Sequence, residues 1–377
     1  MSMRWSRREF VQWMGISSIA SAGMGTSLLA ETNAQSKAEF AYIAAKEGSD
    51  EGIHAYAAGA RGWRKLQTVQ SERPVSLALS ADRKTLYAVN EIDSHKGLPV
   101  GTVEAYAIET DGTLRLLNRQ QLALSAIHPR HAAVTPDGRQ LVVAVRGGGA
   151  YNVLPIEEDG SLGRVSGILK EVGVDRTSQG RRPEPHMVAF DPAGRIVTVD
   201  GGTDRLSVLS LGAEGVTVQH RVELEAGCTP RQVVMHPAGE AAYVMHGGAV
   251  TWHSYDVSSG RFSGTARPQA SAGMEGLAGL ALHPSGRFLY ACERGGGLRG
   301  WSLTESGIVR RSLPLQATEM GELSAIELAP DGRSLVGISP KDHAVRHAEI
   351  DPGTGTVRAG KVLARVDSPS SLVVLYS

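Results

Sequence analysis

Residues 128–145 read HPRHAAVTPDGRQLVVAV, which is two short apolar runs joined by a Pro-Asp-Gly-Arg turn. Because Pro presets φ for a turn and Gly accepts a reversed backbone, this spacing predicts a β-hairpin. Both runs are nearly continuous in Val, Ala and Leu, which is typical of strands that are covered on both faces. The stretch therefore predicts a buried hairpin, and its recurrence along the chain decides the fold.

The same phrase recurs five more times. Its copies are RPVSLALSADRKTLYAVNE (73–91), EPHMVAFDPAGRIVTVD (184–200), TPRQVVMHPAGEAAYVMH (229–246), EGLAGLALHPSGRFLYACE (275–293) and GELSAIELAPDGRSLVGIS (321–339). The first turn residue, Pro136 in the phrase at 128–145, serves as a marker that recurs every 45 to 56 residues. Two further apolar runs separate successive phrases. A strand-rich repeat of this length predicts a β-propeller with one four-stranded blade per repeat.

The two ends of the chain are predicted to share a seventh blade. The C-terminal stretch SPSSLVVLYS (368–377) resembles the first strand of a phrase, and residues 40–70 contain three more apolar runs. Joining the ends in one sheet removes a free strand edge. We therefore predict an all-β, seven-bladed β-propeller with four-stranded antiparallel blades, formed as a single domain by residues 35–377.

Residues 1–34 predict a separate export signal. A basic start is followed by an uncharged apolar run at 11–30 and by small residues that suggest cleavage after Ala34. Residues 6–11, Ser-Arg-Arg-Glu-Phe-Val, match the twin-arginine consensus, which directs export and does not anchor a protein in the membrane. We expect the twin-arginine export machinery as a partner, a periplasmic or otherwise exported location and no stable membrane anchor. The alternative is an uncleaved membrane helix.

Composition excludes several classes of function. The 39 basic and 39 acidic residues leave a formal net charge of zero, which gives no support to nucleic-acid binding. Two cysteines are too few for a disulfide-dense scaffold or a cysteine-based zinc site. Cys228 and Cys292 fall near the same face of adjacent predicted blades, and a disulfide between them remains open. We expect a monomer without a cofactor or a metal.

The residues that vary between the phrases predict a ligand site. If the first strand of each phrase is innermost, its start and the end of the second strand reach the same face. Six residues before the marker stand Val75, Arg130, His186, Arg231, Ala278 and Ser324, and ten residues after it stand Glu91, Arg146, Gly202, Gly247, Arg294 and Pro340. Four Arg near one axis repel each other unless an anion is present, and the Arg fork suits carboxylate or phosphate. We expect an anion pocket; in the alternative, each Arg pairs with a local acidic or carbonyl group.

These phrases resemble the lactonase family of seven-bladed propellers, which includes one kind of 6-phosphogluconolactonase and fungal carboxymuconate-cyclising enzymes. The similar segments are VNEIDSHKGLPVGTVEAYAIETDGTL (89–114), GRQLVVAVRGGGAYNVLPIEEDGSLG (138–163), PHMVAFDPAGRIVTVDGGTDRLSVL (185–209) and LHPSGRFLYACERGG (282–296). The resemblance covers about residues 40 to 377. It implies that the protein hydrolyses or forms a lactone without a metal.

The resemblance also implies roles for particular residues. His186, Arg231 and Arg294 stand at the family's His and Arg positions and are the expected catalytic residues. The family's Asn-Glu pair in the fourth blade is replaced here by His246-Gly247, so a carboxylate is missing. The expected substrate-binding residues, some of which are candidates to replace that carboxylate, are Arg130, Arg146, Glu91, His246 and Glu293.

Together these features predict a hydrolase for a sugar-acid lactone or another anionic lactone. The alternative is a non-catalytic exported propeller that binds a small anion or a protein partner. The sequence contains neither a G-x-S-x-G elbow nor an H-E-x-x-H helix, so serine-hydrolase and zinc-protease interpretations lack a motif. Residues 295–300 match G-x-G-x-x-G but lead into a strand-like segment, which favours a simple strand connection.

Overall fold

The computed structural model describes residues 37–59, 62–172, 181–212, 215–271, 276–314 and 320–377. These ranges form seven four-stranded sheets. No helix within them is long and apolar enough to cross a bilayer. The expected export signal, residues 1–34, lies outside the described residues.

Each sheet is one blade, and hydrogen bonds join its strands in order from the axis outward. Blade 1 contains β4 (Pro74–Leu79), β5 (Thr85–Asn90), β6 (Thr102–Ile108) and β7 (Leu114–Gln121); blade 2 contains β8 (Pro129–Val134), β9 (Gln140–Val145), β10 (Ala150–Pro155) and β11 (Gly167–Lys170); blade 3 contains β12 (Pro185–Phe190), β13 (Ile196–Asp200), β14 (Arg205–Gly212) and β15 (Gly215–Glu223); blade 4 contains β16 (Gln232–Met235), β17 (Ala241–His246), β18 (Ala249–Asp256) and β19 (Arg261–Ser271); blade 5 contains β20 (Leu277–Leu282), β21 (Phe288–Glu293), β22 (Leu298–Leu303) and β23 (Val309–Ser312); blade 6 contains β24 (Ala325–Leu328), β25 (Ser334–Ser339), β26 (Ala344–Ile350) and β27 (Val357–Arg365); blade 7 contains β28 (Pro369–Tyr376), β1 (Ala38–Ala45), β2 (Gly52–Ala57) and β3 (Arg64–Val69).

The innermost strands form a closed ring. The first strand of each blade contacts the first strand of the next, from β4 through β8, β12, β16, β20 and β24 to β28, and β28 contacts β4. Neighbouring strands within every blade are antiparallel. The predicted seven-bladed propeller with four-stranded blades is confirmed.

Blade 7 closes the ring with strands from both ends of the chain. Strand β28 pairs antiparallel with β1, from Ala38 opposite Tyr376 to Ala45 opposite Pro369. The C-terminal strand therefore occupies the innermost position of a blade whose other three strands lie near the N-terminus. This pairing leaves no free edge at the junction, and it confirms the predicted shared blade.

The core lies between blades, which explains the continuous apolar runs. Val143 of β9 packs in a cluster with Tyr87 of blade 1, whereas the adjacent Val142 packs with Phe190 of blade 3. Successive strand residues point to opposite faces of a sheet, so both faces of each blade are covered. The runs therefore lack the alternation of a sheet that faces water on one side.

The marker turns lie at the end of the channel opposite the strand starts. The glycine two residues after each marker Pro has a left-handed φ between 69° and 81°, as seen at Gly138, Gly194, Gly239, Gly286 and Gly332. In blade 1 the same place is taken by Arg83, whose φ is 61°. Its guanidinium donates a hydrogen bond to the carbonyl of Tyr376 at 2.5 Å, which ties this turn to blade 7.

A buried imidazole is expected to make the folded state sensitive to acid. His253 is 3% exposed, and burial lowers its pKa to about 4. Since the unfolded chain binds this proton with a pKa near 6.5, stability should fall by about 3 kcal/mol as the pH drops from about 6.5 to about 4. Urea unfolding at pH 7.5, 5.5 and 4.5 measures the loss. His253→Gln should remove this share of the acid sensitivity, while His131 and His186, whose pKa is also lowered to about 4, keep theirs. His343→Gln, at an exposed side chain, should leave the acid sensitivity unchanged; equal acid sensitivity of wild type and His253→Gln would contradict the assignment.

Candidate active site

A cavity of about 620 Å³ opens at the mouth of the channel opposite the marker turns. Its wall contains all six residues that stand six positions before the marker, namely Val75, Arg130, His186, Arg231, Ala278 and Ser324. Arg294, which follows β21, and Pro340, which follows β25, also line it. We call this cavity the bowl. The repeat thus brings side chains from six blades to one surface.

A repeated irregularity at the start of the innermost strands presents these side chains. The pairing of first and second strands skips one residue in blades 1, 2, 3, 5 and 7, at Val75, Arg130, His186, Ala278 and Ser370. A bulged residue is left out of the ladder, and its side chain is redirected. In four of these blades the preceding residue is Pro, which has no N–H to donate to the ladder. The bulge therefore accounts for the placement of Arg130 and His186.

Glu91 neutralises part of the positive charge beside the bowl. It is 6% exposed, and its Oε1 accepts a hydrogen bond from Arg130 Nη1 at 2.8 Å. Arg146 Nη2 lies 3.5 Å from the same oxygen. Two guanidinium groups therefore share one buried carboxylate. Glu91 is better placed to hold Arg130 and Arg146 than to contact a ligand, because it is covered while both Arg side chains are about one third exposed.

Replacing Glu91 by Gln is expected to destabilise the fold by about 1–2 kcal/mol, because two adjacent Arg lose their counter-ion. Urea unfolding at pH 7 measures the change. The matched control is Glu109→Gln, since Glu109 pairs with Arg115 at 2.8 Å on the surface and such pairs contribute about 0–1 kcal/mol. Equal effects of the two substitutions would show that the buried carboxylate does not balance the Arg pair.

Arg231 presents an uncompensated guanidinium to the bowl. Its side chain makes no hydrogen bond or ion pair within the described ranges, and the residue is exposed. Burial of part of the side chain, followed by the positive charges of Arg294 and Arg130, lowers its pKa. Arg294 is held differently, because its Nε donates to the carbonyl of Leu277 at 3.2 Å. An anion in the bowl would relieve the repulsion at Arg231 and accept two parallel hydrogen bonds from its guanidinium.

His186 is neutral at pH 7. Burial lowers its pKa to about 4, and the positive charges of Arg130 and Arg231 add to the effect. Neither ring nitrogen has a hydrogen-bond partner among the residues that the structure describes. The ring lies against Gly201, where an added Cβ would come within 2.9 Å of Cδ2. A glycine is therefore needed beside the imidazole, and a ring nitrogen remains available to accept a proton.

The other two expected binding residues lie away from the bowl wall. His246 is half-buried at the end of β17, and Glu225 and His253 are among its titratable neighbours. Glu293 ends β21, and its Oε1 is 2.6 Å from Arg299 Nε. The structure therefore brings Arg130, His186, Arg231 and Arg294 together with the Glu91–Arg146 pair, and it does not bring His246 or Glu293 to the same wall.

Sequence reasoning missed the contribution of blade 7 and the charged residues of blade 6. Lys46, Glu47 and Ser370 from blade 7 line the bowl, as do Glu322 and Lys341 from blade 6. The Glu322 and Lys341 side chains pair at 2.9 Å. A signal for blade 7 was present, because Lys46 follows β1 as Glu91 follows β5, and Ser370 follows a Pro as Arg130 does. Blade 7 divides its phrase between the two chain ends, so this copy does not read as one continuous stretch.

Two further features bear on the chemistry of the site. No group of three or more His, Cys, Asp or Glu side chains in the described ranges is arranged to hold a metal ion. Cys228 and Cys292 are free thiols in this structure. Around Gly247, where the resemblance described above implies a Glu, an added Cβ would meet no atom within 4 Å. The place of the missing Glu is therefore open space.

Comparison with known proteins finds relatives that match much of the chain. The chain is 27% identical to the 6-phosphogluconolactonase of Bacillus subtilis over 230 residues, which cover 59% of this chain and 64% of that protein, less than two thirds of its length. It is 26% identical to the 6-phosphogluconolactonase of Pectobacterium carotovorum over 330 residues, which cover 84% of this chain and 92% of that protein.

A solved structure and a family model extend the comparison. The fold is similar to that of a periplasmic gluconolactonase from Pseudomonas aeruginosa, with a TM-score of 0.76 and 25% identity over 90% of this chain and 99% of that one. The sequence model of the family described as "Lactonase, 7-bladed beta-propeller" matches residues 40–374. Because that match covers nearly the whole propeller, the chain belongs to the lactonase family of seven-bladed β-propellers.

Proposed function

We propose that this protein hydrolyses a sugar-acid lactone or another anionic lactone in the bowl. The observation that carries the proposal is the position of neutral His186 between Arg130 and Arg231, on three consecutive blades. The guanidinium groups supply positive charge for an anionic substrate. The neutral imidazole supplies a base that is free of other hydrogen bonds within the described residues. Family membership supports the same reaction class.

The proposed reaction needs only water and side chains of this chain. Arg231 and Arg294 hold the anionic group and polarise the lactone carbonyl. His186 accepts a proton from water as the water oxygen bonds to the carbonyl carbon. The ring C–O bond then breaks, and the departing oxygen takes the proton from the imidazolium of His186. The product is the open hydroxy acid, and the imidazole returns to its neutral form.

A periplasmic location is part of the proposal. The twin-arginine pattern at residues 6–11 supports it, as does similarity to a protein described as a periplasmic gluconolactonase. Phosphorylated gluconolactone is made in the cytoplasm, so export favours a substrate without phosphate. Replacing Arg7 and Arg8 by Lys should leave the protein in the cytoplasm, and immunoblots of cell fractions measure this. Export that does not depend on the Arg pair would overturn this part of the proposal.

A pH-stat assay over a panel of lactones, with and without phosphate, tests the function. Hydrolysis above the spontaneous rate supports the enzyme. Calorimetric titration with the corresponding open acids is run in parallel. Binding of the acids without turnover of any lactone would instead support the second candidate, a non-catalytic anion-binding propeller. The absent carboxylate at Gly247 is the observation that favours this second candidate.

Restoring that carboxylate is expected to raise activity. Gly247→Glu should be accommodated, because the added Cβ meets no atom within 4 Å. We expect kcat for lactone hydrolysis to increase about tenfold or more, since a well-positioned acid–base group contributes about 10²- to 10⁴-fold. Gly248→Glu is the matched control, since it puts the same side chain one residue further along in similarly open space. Equal rates for the two variants would show that position 247 has no special relation to the reaction.

A further inference from the structure

A second cavity of about 210 Å³ lies further down the channel, towards the marker turns. The same innermost strands line it, through residues that lie three positions further along each strand than those that line the bowl. The residues three positions before the marker all lie on its wall, namely Ala78, Ala133, Ala189, Val234, Ala281 and Glu327. Five of these six are small and apolar. The channel therefore changes from a basic wall at the bowl to a mainly apolar wall, which also contains Glu327 and His283, about 10 Å below it, given the rise per strand residue.

The two cavities share three lining residues, His131, Met187 and Gln232. Burial lowers the pKa of His131 to about 4, so the ring is neutral at pH 7, and its Nδ1 accepts a hydrogen bond from the Val188 N–H at 3.4 Å. The Gln232 amide is bonded through both its atoms to the main chain of Leu280, at 2.8 and 2.9 Å. The polar groups at this junction are therefore uncharged or already bonded, and Met187 is a flexible apolar side chain.

The lower cavity suits hydrocarbon better than water. An apolar cavity of about 150 Å³ remains dry and binds benzene, whereas a buried water needs two to four polar partners. Glu327, the acidic residue of the wall, accepts the Val374 N–H at 3.2 Å through Oε1. The volume is sufficient for a short alkyl chain or a single ring.

We infer that the lower cavity binds an apolar substituent of the ligand whose anionic or lactone head occupies the bowl. This inference rests on the proposed function only in naming the head group. It assigns alkyl- or aryl-substituted lactones and their acids as preferred ligands over purely polar sugar lactones. The apolar substituent of the ligand enters past Met187. Its contribution to affinity comes from apolar surface removed from water.

Calorimetric titration with straight-chain carboxylates from propanoate to octanoate tests the inference without requiring turnover. Each added methylene that is buried should strengthen binding about fourfold, until the cavity is full. Ala189→Leu should occupy the cavity and abolish the gain in affinity with each added methylene. Ala281→Leu on blade 5 should do the same. Ala193→Leu is the matched control, because it makes the same change at an exposed turn position of the same hairpin; it should leave the series unchanged.

A parallel assay with δ-lactones of increasing alkyl length separates this inference from the proposed function. If lactones are hydrolysed but neither rate nor affinity depends on chain length, the cavity assignment fails and the function stands. If the carboxylate series shows the expected gain and no lactone is hydrolysed, the function fails and the cavity assignment stands. A chain-length gain that survives both Ala189→Leu and Ala281→Leu, or the absence of any carboxylate binding, overturns the inference.

Discussion

Replacing His186 by Ala is expected to lower kcat for lactone hydrolysis by about 10²- to 10⁴-fold, the usual contribution of a general base. The imidazole lies on the wall of the bowl, is neutral at pH 7 and has no hydrogen-bond partner among the described residues. Because few contacts are lost, the free energy of unfolding at pH 7 should change by less than about 1 kcal/mol. Initial rates in a pH-stat and urea unfolding of the same preparation measure the two effects.

The pH dependence of the wild-type enzyme provides a second readout for His186. A base whose pKa is about 4 stays neutral throughout the neutral range, so kcat/KM should be constant from pH 7 to about pH 5 and decline towards pH 4. His343→Ala, at an exposed imidazole, is the control and should leave the profile unaltered. Full turnover in His186→Ala would remove this residue from the reaction, and a decline centred near pH 6.5 would show that its pKa is not lowered.

Replacing Arg231 by Gln is expected to lower kcat/KM for anionic lactones by about 10²- to 10³-fold. Its guanidinium makes no ion pair within the described ranges and faces the bowl beside other cations, and the negative charge of Glu184 offsets only part of their effect. The same crowding means that the substitution removes repulsion, so the variant should be as stable as the wild type or more stable by up to about 1 kcal/mol. Loss of activity together with retained or increased stability is typical of a residue selected for its ligand.

A neutral lactone makes this prediction more specific. The loss in kcat/KM should be several-fold smaller for a lactone without a charged substituent, because only the polarisation of the carbonyl is then affected. Arg115→Gln is the control, since Arg115 pairs with Glu109 on the surface. Equal losses in kcat/KM for charged and neutral lactones would show that Arg231 polarises the carbonyl and does not hold the anionic group. No loss for either lactone would exclude Arg231 from the site.

Much of the fold could be predicted because its signals are local and repeated. A Pro at the marker and a Gly two residues later specify the turn in blades 2 to 6, and the left-handed φ of Gly138 shows why Gly is used there. Apolar runs on both sides of that turn indicate strands with two covered faces. Repetition at 45 to 56 residues then requires blades around an axis, and the incomplete runs at the two ends require a shared blade.

The candidate site could be predicted only in part. Arg130, His186 and Arg231 occupy equivalent places in their phrases, and Arg294 follows a second strand that ends at the same mouth, so the repeat indicates that they meet. The use of Glu91 as a counter-ion for Arg130 and the position of His246 close enough to affect His253 depend on side-chain directions. These directions are set by packing between blades, and no spacing in the sequence reports them.

The sequence by itself determined the number of blades, the way the ring closes and which variable positions face one mouth of the channel, because these follow from turn chemistry and from a repeated strand pattern. Only the tertiary structure decided which cations are compensated, since ion pairing depends on distances of a few ångströms between different blades. It also decided the pKa of His186 and the apolar cavity below the bowl. Both arise from burial, which is a property of the assembled ring and not of any one segment.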